Sequence, residues 1–170
     1  MNPPLSIIIT DTSVLINFLA IDRVGLLPRC GHRFIITDHV LAEVTAHYPD
    51  QLQRLNIALH ASVLEQITVT DPVEVGLFQS LSASGRLGAG ECSAIAVAIH
   101  RQATLAIDDR RAAKDALALD SGLSVVGTQE LMVKIIKAGL LDVAAADAIK
   151  TEWSAKHRFT LKVASFADLI

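Results

Sequence analysis

The length, composition and charge of the chain set the first limits on its class. The chain has 170 residues, 51% of them hydrophobic and 19% charged, so it can bury a large apolar core within the size of one domain. Fifteen Lys and Arg against eighteen Asp and Glu leave a formal net charge of −3, which argues against a broad basic surface for phosphate binding. We expect a single domain over residues 1–170, with a core over 1–155 and a C-terminal tail over 156–170.

The lack of a recognisable targeting signal and the small number of cysteines lead us to expect an intracellular protein. No apolar run is long enough to cross a bilayer, and no basic-then-apolar leader opens the chain. Cys30 and Cys92 are too few for a disulfide framework and are not spaced as a metal pair. We therefore expect a cytoplasmic protein with two ordinary thiols and no membrane partner.

Short β-branched runs alternate with longer helical patterns. The predicted strands cover residues 5–10, 34–37, 66–70, 104–107 and 124–126. The predicted helices cover residues 14–19, 40–64 with a break near Pro49, 73–83, 91–101, 110–121, 129–138 and 143–154. Apolar strands separated by helices are typical of a parallel sheet covered on both faces. The sequence predicts an α/β fold, a three-layer α/β/α sandwich around a mostly parallel sheet, with a tail that could form a short helix docked on the core or on a partner.

Acidic residues follow several of these strands. Asp11 directly follows the first strand, and Asp108 and Asp109 follow the strand over 104–107. Glu43 and Glu91 lie in the early turns of two predicted helices. In an open parallel sheet the functional crevice lies beyond the carboxyl ends of the strands, so these carboxylates converge if the first, second and fourth strands are neighbours. Converging carboxylates repel one another unless a cation lies between them.

An all-carboxylate cluster favours a hard divalent cation. Magnesium and manganese prefer oxygen ligands and leave room for substrate phosphates, and two ions about 3.5–4 Å apart can activate a water and stabilise a leaving oxygen. Each acid alone also has an ordinary explanation as a helix cap or a dipole partner. Thr12 and Ser13 either hold the carboxylate of the neighbouring Asp11 by hydrogen bonds or are capping residues themselves, and Thr128, after the last strand, has the same two explanations.

Four segments, taken together, resemble the motifs of a known family. Residues 9–16 (ITDTSVLI) resemble the opening motif of PIN domains, and residues 40–44 (VLAEV) resemble their second acidic motif. Residues 90–98 (GECSAIAVA) are similar to the third motif, and residues 105–109 (LAIDD) to the fourth. Three further segments resemble a VapC-like branch of bacterial and archaeal PIN proteins: residues 108–112, 125–128 and 137–141. Four ordered motifs over most of the chain make the match specific.

The resemblance implies an α/β/α sandwich and magnesium- or manganese-dependent ribonuclease activity. Many members of the family are toxins of VapBC-type toxin–antitoxin pairs. Matched by position, the catalytic acids are Asp11, Glu43, Glu91 and Asp109, one of which orients or deprotonates the attacking water. The implied metal ligands are Asp11, Glu91, Asp109 and Asp108. The common pattern favours Asp109 over Asp108, but Ile107 stands where a hydroxyl residue is usual. Glu91 stands where Asp is frequent in the wider family.

Recognition of RNA and of partners is less defined. Arg110, Arg111 and Lys114 follow the fourth acid on one predicted helix and are either RNA contacts or a solvated face. Aromatic residues are only 4% of the chain, which gives little support for base stacking. The apolar residues of the helix over 129–138 predict a homodimer, and we expect an antitoxin-like partner to cover the acidic groove with a basic side chain.

Two other classes share part of the pattern. A phosphoacceptor receiver domain also places acids at strand ends, and Asp71 follows the third strand, but no lysine follows the last strand as such a domain requires. A phosphate-binding loop on Gly85, Gly88 and Gly90 lacks the Gly-Lys-Ser/Thr ending and the dinucleotide spacing. A PIN fold that has lost activity and serves as a binding module stays open as the alternative.

Overall fold

Five parallel strands form the centre of the protein. The computed structural model describes residues 5–170, and there the strands lie in the order β3-β2-β1-β4-β5. The strands are β1 (Ser6–Thr10), β2 (His32–Thr37), β3 (Glu65–Ile67), β4 (Thr104–Ala106) and β5 (Val125–Val126). The α-helices are α1 (Thr12–Ala20), α2 (Asp38–His47), α3 (Pro49–His60), α4 (Pro72–Ser82), α5 (Ala89–Arg101), α6 (Arg110–Leu119), α7 (Thr128–Lys137) and α8 (Val143–Lys156). Short 3-10 helices cover Val24–Leu26, Pro28–Cys30 and Phe166–Leu169.

Both faces of the sheet are buried by helices. Successive residues of β1 serve opposite faces, because Ile8 joins the core cluster that contains Phe18 and Trp153, and Ile9 joins the cluster that contains Ile95. The first cluster packs α1, α2, α3, α7 and α8 against the sheet, and the second packs α5 and α6. A strand buried on both sides must be a continuous apolar run. The three-layer α/β/α prediction is confirmed.

The predicted elements are present, with shifted ends. The long helix predicted over 40–64 divides at Tyr48, since Pro49 lacks a backbone N–H and instead begins α3. The third strand covers only Glu65–Ile67 instead of 66–70. Between residues 5 and 170, no helix has the length and apolar character needed to cross a membrane.

The apolar face of α7 is used within this chain. Leu131, Met132 and Ile135 are fully buried in the first core cluster, and Val133 and Ile136 pack against it. These residues suggested a dimer surface in the sequence. Because the chain's own core covers them, the homodimer stays a prediction without this support.

The C-terminal tail is held against α8. Phe166 is fully buried in the core. Asp147 of α8 accepts hydrogen bonds from Ser165 Oγ at 2.6 Å and from the Phe166 N–H at 2.9 Å, and these bonds hold the pKa of its carboxyl below the usual value. Lys150 donates to the carbonyl oxygens of residues 163 and 164. These bonds fix the end of the chain to the last helix.

Candidate active site

Asp11 stands at the carboxyl end of the central strand. Its N–H donates to the Ala106 carbonyl at 3.0 Å, which extends the pairing of β1 with β4 by one residue beyond Thr10. Helix α1 begins at the next residue, and the Asp11 carboxylate caps it by accepting from the Val14 N–H at 3.0 Å. Ser13 Oγ lies 2.9 and 2.7 Å from the two carboxylate oxygens. The side chain is therefore fixed by local structure.

The charge of Asp11 is poorly compensated. Asp11 is only 1% exposed. Burial raises its pKa to about 7, and the nearby carboxylates of Asp108 and Glu91 act in the same direction, against hydrogen bonds from Val14 and Ser13. A buried carboxylate with only neutral donors is costly to ionise. A cation at this position would remove that cost.

Glu43 connects α2 to the beginnings of α1 and α5. Its Oε2 accepts from Thr12 Oγ1 at 2.6 Å, and its Oε1 accepts from the Gly90 N–H at 2.7 Å. The close approach requires glycine at position 90, because a Cβ there would lie 2.5 Å from Glu43 Oε2 and 2.8 Å from Thr12 Oγ1. Thr12 thus holds Glu43 rather than Asp11, the neighbour that the sequence suggested.

Glu91 completes the group of acids around one cavity. Its carboxylate accepts from the Gly88 N–H at 2.9 Å at the start of α5. Burial raises the pKa of Glu91, and Asp109 and Glu43 raise it further. A cavity of about 280 Å³ is lined by Asp11, Thr12, Ser13, Glu43, His47, Tyr48, Gly88 and Glu91. Three of the four proposed catalytic acids therefore meet at one place.

The two candidates for the fourth acid have different surroundings. Asp108 is partly buried and accepts from the Thr128 N–H at 2.8 Å, Thr128 Oγ1 at 2.6 Å and Asn17 Nδ2 at 2.9 Å. Burial raises the pKa of Asp108, and Asp108 in turn raises that of Asp11. Asp109 is exposed and caps α6 by accepting from the N–H groups of the second and third helical residues at 2.7 and 2.9 Å. Asp109 acts electrostatically on Glu91. Both remain candidate ligands at the edge of the site.

The three candidate RNA contacts lie beside these acids. Arg110, Arg111 and Lys114 are exposed on α6, and none of them forms an ion pair with another part of the described chain. Arg110 lines a second cavity, of about 420 Å³, together with Asp108 and Lys162 of the C-terminal tail. This arrangement leaves their charges available to a phosphate backbone.

Three residues near the site were not identified from the sequence. Asn17 donates to Asp108 and, at 3.1 Å, to Thr128 Oγ1. It interrupts the otherwise apolar run of α1, and a buried polar residue in such a run needs partners. His47 and Tyr48 line the acidic cavity. His47 lies four residues after Glu43 and therefore on the same face of α2, which was the available signal.

The donor set fits a hard divalent cation held by few protein ligands. In residues 5–170, no three His, Cys, Asp or Glu side chains stand close enough to hold one ion together. Magnesium usually takes only one or two carboxylates and keeps several waters. Asp11 and Glu91 line one cavity, and the pKa of each is raised by burial and by neighbouring carboxylates. This pair fits such an ion, and His47 is an imidazole that lines the same cavity.

Comparisons with known proteins agree with the fold. The model of the family described as DUF3368, PIN domain, matches residues 7–162. A chain in the crystal structure of VapBC2 from Rickettsia felis bound to a DNA fragment from their promoter is similar in fold, with a TM-score of 0.51 and 19% identity over 71% of this chain and 98% of that chain. None of the curated proteins matches. Because the family model spans most of the sequence, the chain belongs to the PIN-domain family.

Proposed function

We propose that this chain is a magnesium- or manganese-dependent endoribonuclease. PIN domains are generally nucleases, and the chain belongs to that family. The observation that carries the proposal is the buried Asp11 carboxylate, whose pKa is raised to about 7 beside Glu91 and Asp108 with no cationic side chain paired to it in residues 5–170. A divalent ion would balance this charge and attract the phosphate of an RNA chain.

The ion would be held directly by Asp11 and Glu91 and would keep several waters, through which Asp108 or Asp109 would contact it. When bound, it supplies positive charge to the phosphate oxygens and makes a neighbouring water a stronger acid. Ser13 and the Val14 N–H fix the direction of the Asp11 carboxylate. These are the metal-binding roles in the proposal.

The remaining residues position water and substrate. Glu43 has one hydrogen bond to each carboxylate oxygen, from Thr12 and Gly90, and keeps free acceptor sites in the cavity. We assign it to orient the attacking water. Asn17 and Thr128 hold Asp108 in place. The exposed cations of α6, Arg110, Arg111 and Lys114, contact the RNA backbone.

The test is cleavage of a mixed RNA pool by wild type, Asp11→Asn and Asp142→Asn in magnesium, manganese or chelator. Asp142 caps α8 as Asp11 caps α1, accepting from the N–H three residues ahead at 2.7 Å. Asn also caps helices, so the two variants share the local change. We expect Asp11→Asn to lose more than about 100-fold in rate, because even residues that only support metal ligands cost about 10–100-fold. Asp142→Asn should cut like wild type.

Each of the other outcomes has a definite meaning. Equal cutting by wild type and Asp11→Asn would identify a contaminating nuclease. No cutting by any protein, together with no metal binding in titration calorimetry, would contradict the proposal and support the alternative of an inactive PIN fold that acts as a binding module.

We further propose that the ribonuclease is the toxin of a toxin–antitoxin pair. The support is the likeness in fold to a chain of the VapBC2 complex. An antitoxin would cover the acidic cavity and place a basic side chain among its carboxylates. Induced expression in bacteria should arrest growth for wild type and not for Asp11→Asn, and equal growth of both strains would contradict the toxin role.

We also propose that the protein is a homodimer. A measured mass equal to that of one chain over a wide concentration range would contradict the homodimer.

A further inference from the structure

Tyr48 is an exposed aromatic residue that lines the acidic cavity. Tyr48 is 37% exposed, and it is the only aromatic residue among the exposed large apolar side chains of residues 5–170. It lines the same cavity as Asp11, Glu43 and Glu91. None of the ring–ring contacts found among residues 5–170 involves Tyr48. The ring is therefore available to a ligand at the site of the acids.

The backbone around Tyr48 is held on both sides. Its N–H donates to the Val44 carbonyl of α2 at 2.9 Å. Its carbonyl accepts from Gln51 and Leu52 of α3, each at 3.1 Å. Pro49 further restricts the conformation of the preceding residue. A tyrosine on such a corner has two side-chain torsions to order when it binds a partner, so little entropy is lost.

An ordinary surface tyrosine does not account for this placement. The chain contains one tyrosine, one tryptophan and five phenylalanines, and the large aromatic residues Trp153, Phe18, Phe34 and Phe166 are fully buried. Those rings serve the core. Tyr48 instead is exposed, follows His47 at the end of α2, and lines the acidic cavity.

We propose that Tyr48 is a stacking platform for the base of one unpaired nucleotide beside the scissile phosphate. This inference rests on the proposed ribonuclease function and adds a substrate requirement to it. Bases stack on aromatic rings in single-stranded nucleic acids, whereas bases within a duplex are already stacked on each other. A ring beside the acids therefore selects RNA whose nucleotide at this position is unpaired. His47 lies next to it and lines the same cavity.

The test measures binding, so that it is separate from catalysis. Fluorescence anisotropy follows a labelled eight-nucleotide single-stranded RNA in calcium, with wild type, Tyr48→Ala, Tyr48→Phe and Ile57→Ala. Ile57 is an exposed apolar residue of α3 that does not line the cavity. Thermal melting of all four proteins checks the fold. We expect Tyr48→Ala to weaken binding by about 5-fold to 100-fold, the range for loss of one stacked base. Tyr48→Phe and Ile57→Ala should bind like wild type.

An abasic scan then tests which group the ring contacts. Removal of the base at one position should weaken binding to wild type by the same factor as Tyr48→Ala, and should not weaken binding to Tyr48→Ala further. Duplex RNA should bind equally to both proteins. Equal binding of the single strand by wild type and Tyr48→Ala, additive losses at every abasic position, or no binding of single-stranded RNA to wild type would each overturn the inference. Correct stacking behaviour without metal-dependent cleavage would instead contradict the proposed nuclease.

Discussion

Two carboxylates between residues 5 and 170 are almost completely buried, and their surroundings are opposite. Asp11 is 1% exposed and Glu74 is 0% exposed. Glu74 of α4 accepts from Arg101 Nε at 2.6 Å, Arg101 Nη2 at 3.2 Å and His100 Nδ1 at 3.1 Å. Burial alone would raise the pKa of Glu74, but these bonds outweigh it and hold the pKa below the usual value. Asp11 has only neutral donors, and its pKa is raised to about 7.

The comparison shows that a missing partner is more informative than burial itself. The charge of Glu74 is balanced by side chains of α5, so the group fastens α4 to α5 and needs no ligand. Glu91 and Asp108 make the ionised form of Asp11 less favourable, because their negative charges repel it. No side chain of the described residues neutralises Asp11, so a neutralising cation would come from outside the chain. For this reason we propose Asp11, and not Glu74, as a binding-site residue. The two acids should therefore respond differently to pH, to the loss of a cation and to added metal.

The largest expected effect is on the pH dependence of stability in chelator. Folded Asp11 keeps its proton until about pH 7, whereas the unfolded chain releases it near the ordinary aspartate pKa of 3.8. The folded state therefore binds more protons between these values, and the free energy of unfolding falls as the pH rises, by up to about 1.4 kcal/mol per pH unit. Asp11→Asn should remove this fall. Urea denaturation at intervals from pH 4 to pH 8 measures it.

Glu74→Gln is the matched control for the paired acid. Because the pKa of folded Glu74 lies below the ordinary glutamate value of 4.5, its contribution to stability is present above that value and is lost as the pH falls through the folded pKa. The difference between Glu74→Gln and wild type should therefore change only in the acid range. A wild-type and an Asp11→Asn curve that run parallel from pH 4 to pH 8 would show that Asp11 is ionised without cost.

Loss of the cation from Glu74 should have the next largest effect. Arg101→Ala leaves a buried carboxylate with His100 as its only remaining side-chain partner. We expect a loss of about 2–3 kcal/mol in the free energy of unfolding, less than for a fully buried pair because the Arg101 side chain is 36% exposed. Metal binding should be unchanged. Equilibrium urea denaturation at pH 7 gives the value.

Arg86→Ala is the control for this variant. Arg86 pairs with Asp115 at 3.3 Å, and its side chain is 60% exposed. Such a surface pair contributes at most about 1 kcal/mol. If Arg101→Ala and Arg86→Ala lost equal stability, Glu74 would not depend on its cation, and the contrast with Asp11 would fail.

The sequence was sufficient for the positions of the acids because those positions follow from strand ends. Asp11 comes directly after an apolar strand, and residue 108 after another. In a parallel sheet all such residues lie at one edge. Helix caps and the break before Pro49 are likewise local signals. In the observed strand order β1 lies between β2 and β4, so the residues that follow these strands are neighbours. The start of α5 reaches the same place, where the Gly90 N–H donates to Glu43.

Contacts between distant helices could not be predicted in the same way. Glu74 and Arg101 are 27 residues apart and meet only because α4 packs on α5. Glu74 lies in the first turn of α4, where an acidic residue is common, so nothing in the local sequence distinguishes it. The sequence suggested Thr12 either as a hydrogen-bond partner of the neighbouring Asp11 or as a capping residue, but its hydroxyl donates to Glu43, 31 residues away. The position of Tyr48 at the cavity could not be predicted from the sequence either, because it depends on the corner between α2 and α3.

The smallest expected effect is the most specific to Asp11. An ion that binds the folded state alone stabilises it by about 1.4 kcal/mol at a free concentration ten times its dissociation constant. For a chain of this size the melting temperature should rise by about 3–5 °C in manganese. Arg101→Ala should keep this rise, since Glu74 does not line the acidic cavity. Asp11→Asn should lose it, because Asn keeps the shape of the side chain without the charge that attracts the ion. An equal rise in wild type and Asp11→Asn would place the ion elsewhere on the protein. Asp11 would then not be a metal ligand, and the burial of its unpaired carboxylate would have no explanation in its surroundings.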